Sequence, residues 1–570
     1  MSGPIRQTGY ALYNWAMSLR APVIQSGTKN VQLSVDNPVS LQDGSGSTNI
    51  SLLDYLNMQL GSNNRNVSAG DVFSFQGGMS NEQYALGNFS AMMGGTGNVG
   101  QAFSNQYTYL GGSYNNYKVD NSTSANGTVV GLTGARNDSY VIGSQFGDTV
   151  YGQISDGSDA QIFARDGNDY INMVAESGSS VNADGQVGND IVALEARGAG
   201  SKATARGGRG DDQLGLTARG QGSEVSGSGG NGNDSGIAWA IDGGKATISG
   251  DDGNDGLTLI AEGADSDASG FGGAGEDKGL AVAAGGGNVD FNAGSGNDQV
   301  GVSASGAGSF ATGLLGKGDD AGSGLAVAGG RAYLSGDEGN DVLLAVADGA
   351  GSVVGASGGT GDDLIFAGAQ NGAEVIVNGG EGTDTAVLSG KQEDYSQEQV
   401  EGLGTKWVRT ADGSYVLVAS DVESTQFEGD MTPEQRAAHG LAPATITQQA
   451  AAQAAQPTAQ QAGAQAAQVG AQAAQAGAQA AQTGAQAAQA GAQVAQPAAQ
   501  DAQVAQPAAQ AEKVAQPPAE PAAQDAQVAQ PAAQAEKVAQ PPAETVAQPS
   551  AEGASKPPAE EPKPTEEAQS

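Results

Sequence analysis

Two residue types that carry much enzyme and metal chemistry are nearly missing from this chain of 570 residues. Cysteine is absent, and histidine occurs once, at His439. The lack of cysteine excludes disulfides, thiol catalysis and cysteine-ligated zinc or iron–sulfur sites. A single histidine excludes multi-histidine metal centres. His439 follows Thr432 and Pro433 in a segment typical of a short helix with an N-cap, so we interpret it as a helix-surface residue and not a catalytic base.

Aromatic and basic residues are also scarce. Aromatics make up 5% of the chain, which argues against one large, conventionally packed core. Lysine and arginine number 24 against 63 acidic residues, a net charge of −39. A nucleic-acid partner is therefore excluded, because phosphate contacts need a basic surface. Like charges at this density repel unless a counter-ion neutralises them, so a cation is the expected ligand.

Long apolar runs are missing as well. No stretch of about 18 apolar residues is present, so we expect no transmembrane segment. The N-terminus lacks the apolar run of a cleaved secretory signal. The segment from Tyr10 to Leu19 is interpreted as a short packed helix, with a surface anchor as the alternative.

Composition divides the chain into four predicted parts. Residues 1–135 are rich in Asn, Ser and Gly, and short alternating runs such as Val31 to Val35 predict a mixed, mostly β N-terminal region of unknown role. Residues 136–390 are periodic, and residues 391–440 regain an ordinary composition, as expected of a C-terminal cap module. Residues 441–570 are Ala, Gln and Pro. They offer too little apolar surface to offset chain entropy, so we predict a disordered tail.

An acidic turn of the form G-x-x-G-x-D recurs through the periodic part with a period of about 21 or 22 residues. Asp148 ends a degenerate first copy. The aspartates of the eleven later copies are Asp169, Asp190, Asp212, Asp234, Asp255, Asp277, Asp298, Asp320, Asp341, Asp363 and Asp384. A fixed period of this length is typical of a solenoid, in which each repeat contacts its neighbours.

A second mark confirms the register of the repeat. Alanine stands six residues after ten consecutive aspartates, from Ala175 to Ala369. Between Asp and Ala the apolar residues alternate, as in Ile171 and Met173, which predicts a strand with one face inward. A turn without acids and a second strand complete each repeat. The sequence therefore predicts an all-β protein: a parallel β-roll, or β-solenoid, of about 12 coils with roughly 21–22 residues each.

The stacking predicts a metal site. Parallel coils lie ~4.8 Å apart, so the acidic turns form a ladder along one edge. Unscreened carboxylates at that spacing repel, whereas Ca²⁺ takes six to eight carboxylate and carbonyl oxygens in a flexible cage. Mg²⁺ demands a stricter octahedron and fits less well. We therefore predict that all eleven aspartates bind Ca²⁺. The alternative is that Asp serves only as a turn former in a roll without metal.

The repeats resemble the RTX (repeats-in-toxin) family, whose nonapeptide GGxGxDxUx winds a calcium-bound parallel β-roll. GGTGDDLIF, from Gly358 to Phe366, and GGEGTDTAV, from Gly379 to Val387, carry the resemblance. It implies calcium binding through the Asp carboxylates and turn carbonyls. The segment from Ala386 to Asp430 looks like the module that follows such repeats, which implies type I-like export without an N-terminal signal.

Three functions stay open from the sequence. The first is a secreted, calcium-binding structural or interaction protein of a bacterial cell surface, in a surface layer, a matrix or adhesion. The second is a secreted enzyme or toxin that uses the roll as a calcium-triggered folding module. The third is a virion or intracellular fibre. We favour the first and expect no enzyme activity, because no credible catalytic motif is present. The expected partners are calcium ions, with a cell-surface polysaccharide or self-association as further candidates.

Overall fold

In a computed structural model, two long and mostly parallel β-sheets, packed face to face, form the described part of the chain. The structure describes residues 23–439 except positions 30 and 38. The predicted helix or anchor from Tyr10 to Leu19 and the predicted tail at 441–570 lie outside the described residues. The chain alternates between the sheets, so each strand pairs with the strand two places further along. This is the predicted all-β parallel solenoid, with about 17 turns.

The sheet A strands are β1 (Val23–Thr28), β3 (Ser40–Ser45), β5 (Leu56–Gln59), β7 (Phe73–Gln76), β9 (Ser90–Met93), β11 (Tyr107–Leu110), β13 (Val129–Ala135), β15 (Thr149–Ser155), β17 (Tyr170–Glu176), β19 (Ile191–Arg197), β21 (Gln213–Arg219), β23 (Ser235–Ile241), β25 (Gly256–Glu262), β27 (Lys278–Ala284), β29 (Gln299–Ser305), β31 (Ala321–Val327), β33 (Val342–Asp348), β35 (Leu364–Gln370), β37 (Thr385–Leu388) and β41 (Ser424–Phe427). The sheet B strands are β2 (Val31–Val35), β4 (Thr48–Leu52), β6 (Arg65–Ala69), β8 (Glu82–Leu86), β10 (Val99–Phe103), β12 (Asn116–Asp120), β14 (Asp138–Ile142), β16 (Asp159–Asp166), β18 (Ser180–Val187), β20 (Lys202–Arg209), β22 (Glu224–Asn231), β24 (Lys245–Asp252), β26 (Asp267–Ala274), β28 (Asn288–Ser295), β30 (Phe310–Lys317), β32 (Arg331–Glu338), β34 (Val353–Thr360), β36 (Glu374–Glu381), β38 (Tyr395–Val400), β39 (Gly404–Arg409) and β40 (Tyr415–Ala419).

The predicted count of about 12 coils is wrong, because the coils begin well before residue 136 and number about 17. In the early coils Val31 pairs with Thr48, and Thr48 pairs with Arg65. The coil there is 17 residues long, against 21 or 22 later in the chain. This shorter repeat is marked by asparagine, as at Asn64 and Asn81, and not by an acidic turn. Residues 23–135 therefore belong to the same two sheets as the acidic repeats.

Small residues fill the interior of the later coils. The ten alanines from Ala175 to Ala369 lie in one register across sheet A, where Ala240, for example, pairs with Ala261. All ten are buried, with at most 2% of their surface exposed. The prediction that this column faces the interior is confirmed. Larger side chains such as Ile248 and Leu259 complete the core between the sheets.

The two edges of the solenoid differ. One edge carries the acidic turns, which lead from sheet B to sheet A. From Ser266 to Ser352 the opposite edge carries a buried serine in every second coil, at Ser266, Ser309 and Ser352. Each hydroxyl donates to a carbonyl of its own turn and accepts an N–H from the preceding coil, as Ser309 does with Ser305 and Gly286. In the coils that lie between them, the turn is one residue shorter. This part of the solenoid therefore repeats in pairs of coils, one of 22 and one of 21 residues.

The end of the solenoid is closed by residues 391–439. Strands β38, β39 and β40 form an antiparallel unit, and β40 pairs in parallel with β36 while β41 pairs with β37. Trp407 and Phe427 pack edge to face at 5.0 Å between ring centroids and cover the last apolar layer. A short helix, Pro433–Ala438, follows and is capped by Thr432. In the part of the chain that is described, no helix is both long and apolar enough to cross a membrane.

Candidate functional site

The eleven predicted ligand aspartates form one continuous column at the edge where sheet B turns into sheet A. Their side chains point inward and expose only 1 to 3% of their surface. Oδ1 of each aspartate accepts the backbone N–H of the aspartate one coil earlier, at 2.6 to 2.9 Å. We call this column the Asp ladder. Its last N–H, from Asp384, donates to Glu423 at 2.7 Å.

The second oxygen of every ladder aspartate is different. Oδ2 is buried in all eleven residues and accepts no hydrogen bond from any described residue. Burying a charged oxygen without a partner costs several kcal/mol, so native proteins seldom do it. The column therefore holds eleven unsatisfied oxygens in a line, and something else must neutralise them.

Earlier aspartates in the same column do have partners. Asp71 receives hydrogen bonds from Ser51 and Ser68, each at 2.8 Å. Asp148 receives the N–H groups of Ser144 and Thr128 at 2.6 and 2.5 Å. The chain thus satisfies these carboxylates with its own donors. From Asp169 onward it provides a donor for Oδ1 alone.

The pKa values follow from this burial. Desolvation, which disfavours the charged carboxylate, raises the pKa of Asp255 to about 6 and that of Asp341 to about 7. Asp169 has a pKa of about 8 for the same reason, with repulsion from neighbouring aspartates as a further cause. The hydrogen bond from the preceding backbone opposes these shifts but does not cancel them. Without a cation, the folded ladder therefore holds protons well above the usual Asp range.

Glycine allows the unpartnered oxygens to lie where a Cβ would otherwise be. A Cβ built on Gly250 would lie 2.1 Å from Oδ2 of Asp255 and 2.6 Å from the carbonyl oxygen of Gly272 in the next coil. Gly336 holds the same relation to Asp341 and to the carbonyl of Gly358, at 2.0 and 2.5 Å. The carboxylate oxygen and the carbonyl oxygen thus both lie against the glycine, where a methyl group would collide with them. Carboxylate and carbonyl oxygens are the ligands that a hard cation such as Ca²⁺ binds.

This glycine is present beside eight of the eleven aspartates. Glycine stands five residues before Asp190, Asp212, Asp234, Asp255, Asp277, Asp341, Asp363 and Asp384. Ala164, Ala293 and Leu315 occupy that position before Asp169, Asp298 and Asp320, and all three are buried. A methyl or larger group there takes the position that Oδ2 occupies beside glycine. These three aspartates are therefore the weakest candidates as ligands.

A second ladder, which the sequence reasoning missed, runs along the outside of the same edge. The residue before each ladder aspartate is usually Asn or Asp, and its side chain accepts the backbone N–H of the equivalent residue in the next coil. Asn189 receives the N–H of Asp211 at 3.1 Å, and Asp319 receives that of Asn340 at 2.9 Å. The recurring tripeptides G-N-D and G-D-D are the sequence signal for this second ladder.

The carboxylates do not converge as they do in a multi-carboxylate metal centre. Within residues 23–439, no three His, Cys, Asp or Glu side chains gather in a group that would hold a metal ion. A cation at the Asp ladder would therefore rely on one carboxylate oxygen per coil together with backbone carbonyls. Comparison of the chain with protein-family models and with curated proteins finds no match.

Proposed function

We propose that this protein is a secreted structural or interaction protein of a bacterial cell surface, and that Ca²⁺ bound along the Asp ladder stabilises its rod. The observation that carries this proposal is the row of buried Oδ2 atoms without hydrogen-bond partners among the described residues. Ca²⁺ accepts carboxylate and carbonyl oxygens together in irregular cages. It would neutralise the ladder charge that otherwise opposes folding at neutral pH.

The proposed ligands are the carboxylates next to glycine and the carbonyl oxygens facing them. Asp255 with the Gly272 carbonyl is one such pair, and Asp341 with the Gly358 carbonyl is another. Because the ion joins successive coils, its binding free energy becomes folding free energy of the rod. About 17 turns at ~4.8 Å per turn give a rod of about 80 Å, suited to spacing or display.

The experiment is a pair of opposite substitutions judged by ion count. Gly250→Ala adds a methyl group that displaces Oδ2 of Asp255 and the Gly272 carbonyl oxygen from their present positions, and Ala293→Gly removes the equivalent methyl group beside Asp298. Neither position has a positive φ, so the local backbone conformation suits both residue types, and the change acts through the displaced oxygens. We expect isothermal calorimetry to give one Ca²⁺ fewer for Gly250→Ala and one more for Ala293→Gly.

Two controls make this test specific. The same titration with Mg²⁺ should give much weaker binding, because Mg²⁺ retains its waters. Circular dichroism should show that both variants keep their strand content at saturating Ca²⁺. If the wild-type protein binds no Ca²⁺ at millimolar concentration and remains fully folded in excess chelator at neutral pH, the proposal is wrong, and the aspartates act as turn formers.

A secreted enzyme or toxin is the second candidate. It would use the calcium-dependent roll as a folding module and carry its activity elsewhere. In the described residues the coils continue from residue 23 to the C-terminal cap, which leaves little room there for a catalytic domain. We therefore rank it below the structural role.

A further inference from the structure

In the first described coils, polar side chains lie inside and apolar side chains lie outside, the reverse of the rest of the solenoid. In β2, Gln32 and Ser34 are buried at 2% and 1% exposure, while Val31 and Leu33 are 77% and 57% exposed. The same inversion continues through the following coils. The buried polar residues of these coils include Gln32, Ser34, Ser40, Gln42, Asn49, Ser51, Asn57, Gln59, Asn66, Ser68, Ser74 and Gln76. The polarity becomes ordinary near β12, where Tyr117 and Val119 are buried.

Apolar side chains consequently line the middle of both outer faces of these coils, with the exposed Arg65–Glu82 ion pair beside them on sheet B. On sheet B the outward column in the middle of the strands consists of Leu33, Ile50, Val67 and Tyr84, which are paired in register. On sheet A the equivalent column consists of Leu41, Met58, Phe75 and Met92. We call these the B face and the A face. They lie on opposite sides of the same coils.

Hydrogen bonds at both edges and across the interior hold this arrangement. At one edge, Asn64 accepts the N–H of Ser47 at 2.8 Å and donates to the Gly44 carbonyl at 2.8 Å. Inside, the side chain of Gln59 crosses between the sheets and donates to the Val67 carbonyl at 3.0 Å. A one-residue slip would exchange the two faces of a strand, but it would also break these edge ladders.

In an isolated molecule, these coils lack much of the stabilisation that apolar burial usually provides. A polar interior gains little from the hydrophobic effect, because burying amides at best replaces their hydrogen bonds with water. The apolar groups remain in water instead. Contiguous exposed apolar patches on a soluble protein mark contact surfaces. We propose that second copies of this chain cover the A face and the B face, so that molecules associate side by side through their first coils.

The placement of the two faces favours a second copy. About five strands at ~4.8 Å spacing and ~16 Å length give roughly 400 Å² per face, so one interface buries roughly 800 Å² in total, the size of a weak contact, and each molecule makes two such contacts. The segment from Tyr10 to Leu19 has no charged residue but is too short to cover two opposite faces. Because each molecule offers two faces, the assembly grows as an open lateral row.

This inference deepens the structural role proposed above but does not depend on calcium, since the first coils carry none of the unpartnered ladder aspartates. The test uses full-length protein in sedimentation velocity, with Ca²⁺ and again with chelator. We expect the wild-type mass to rise with concentration between about 10 µM and 1 mM, as for a small and weak interface, under both conditions. Failure of calcium binding would leave this association intact.

Variants on each face sharpen the test. Leu33→Lys alters the B face, Met92→Lys alters the A face, and Phe271→Lys is the matched control, because Phe271 is 49% exposed on a later coil. If like faces meet, either single variant stops at dimers and the double variant is monomeric. If the A face meets the B face, either single variant prevents growth. The control should assemble like the wild type.

The absence of cysteine allows an independent measurement on folded protein. A spin label attached to Leu33→Cys should report close approach between labels if B faces meet, and Met92→Cys should do so if A faces meet. Labels on Phe271→Cys should remain distant. A wild-type protein that stays monomeric to about 1 mM would overturn the proposal. It would also be overturned if deletion of residues 1–22 were needed before association appears.

Discussion

Replacing Asp255 with asparagine separates a metal ligand from a turn former. In the folded protein Oδ1 of Asp255 accepts the N–H of Asp234 at 2.7 Å, a hydrogen bond that the asparagine oxygen retains. Oδ2 has no partner among the described residues and lies near the carbonyl of Gly272. The amide nitrogen of asparagine would replace this oxygen with a hydrogen donor.

The magnitude follows from the pKa. Burial raises the pKa of Asp255 from 3.8 to about 6. A group whose pKa is higher in the folded state stabilises the fold when protonated and loses that contribution as the pH rises through the folded value. Once the pH exceeds the folded pKa, the ionised carboxylate therefore costs roughly 3 kcal/mol without calcium. Asp255→Asn should recover a large part of this in chelator at neutral pH.

With calcium the sign should reverse. The variant lacks one anionic ligand, so the affected coils should need ~10-fold more Ca²⁺ to fold, equivalent to about 1.4 kcal/mol. Hydrogen exchange with and without saturating Ca²⁺ measures both effects, and nearest-neighbour stability should confine them to one or two coils. An effect of the same sign in both conditions, or none in either, would refute the reasoning.

Asp148→Asn is the matched control. Both oxygens of Asp148 accept backbone N–H groups, from Thr128 and Ser144. An amide nitrogen there would face a donor, which costs about 1–3 kcal/mol. We therefore expect destabilisation of similar size with and without Ca²⁺.

Three further predictions concern pH, packing and the tail. In chelator, the free energy of unfolding should be highest in mild acid, near the ordinary pKa of Asp, and fall as the pH rises. Asp341 and Asp169 should be the last to ionise, because their pKa values are about 7 and about 8. Denaturant titrations at several pH values measure this free energy, and a rise with pH would contradict the prediction. Ala261→Leu, in the fully buried alanine column, should cost ~1–3 kcal/mol at every Ca²⁺ concentration, and an unchanged melting temperature would show that the interior has spare room. Deletion of residues 441–570 should leave calcium-induced folding unchanged in circular dichroism, because their composition offers no core.

The sequence predicted the later coils well because two independent periods agree there. The acidic turn sets the length of the coil, and the alanine six residues later sets the inward face of the strand. In one coil, for example, Asp255 lies in the turn and Ala261 lies on the buried face of the following strand, as the spacing predicts. Spacing alone did not predict that the carboxylate turns inward, since a turn residue can point to either side. The unpartnered Oδ2 became visible only with the hydrogen bonds.

The early coils were harder to predict for a physical reason. Their repeat is marked by asparagine at Asn64, Asn81 and Asn98, whose neutral side chains donate as well as accept and so need no counter-ion. Without acids the shorter period was not recognised, and the coil count of about 12 was too low. The alternation from Val31 to Val35 predicted a strand but not its buried face, which carries Gln32 and Ser34 and not the apolar residues.

The alternation of serine turns at the edge opposite the Asp ladder bears on how rods of this kind change length. Ser266 and Ser309 lie two coils apart, and each accepts an N–H from the shorter turn before it. Duplication or loss of such a pair of coils in this part of the rod would preserve every such bond. Gain or loss of a single coil would place two turns of the same kind next to each other. Natural length variants of the later coils should therefore differ by whole pairs of coils, in steps of about 10 Å.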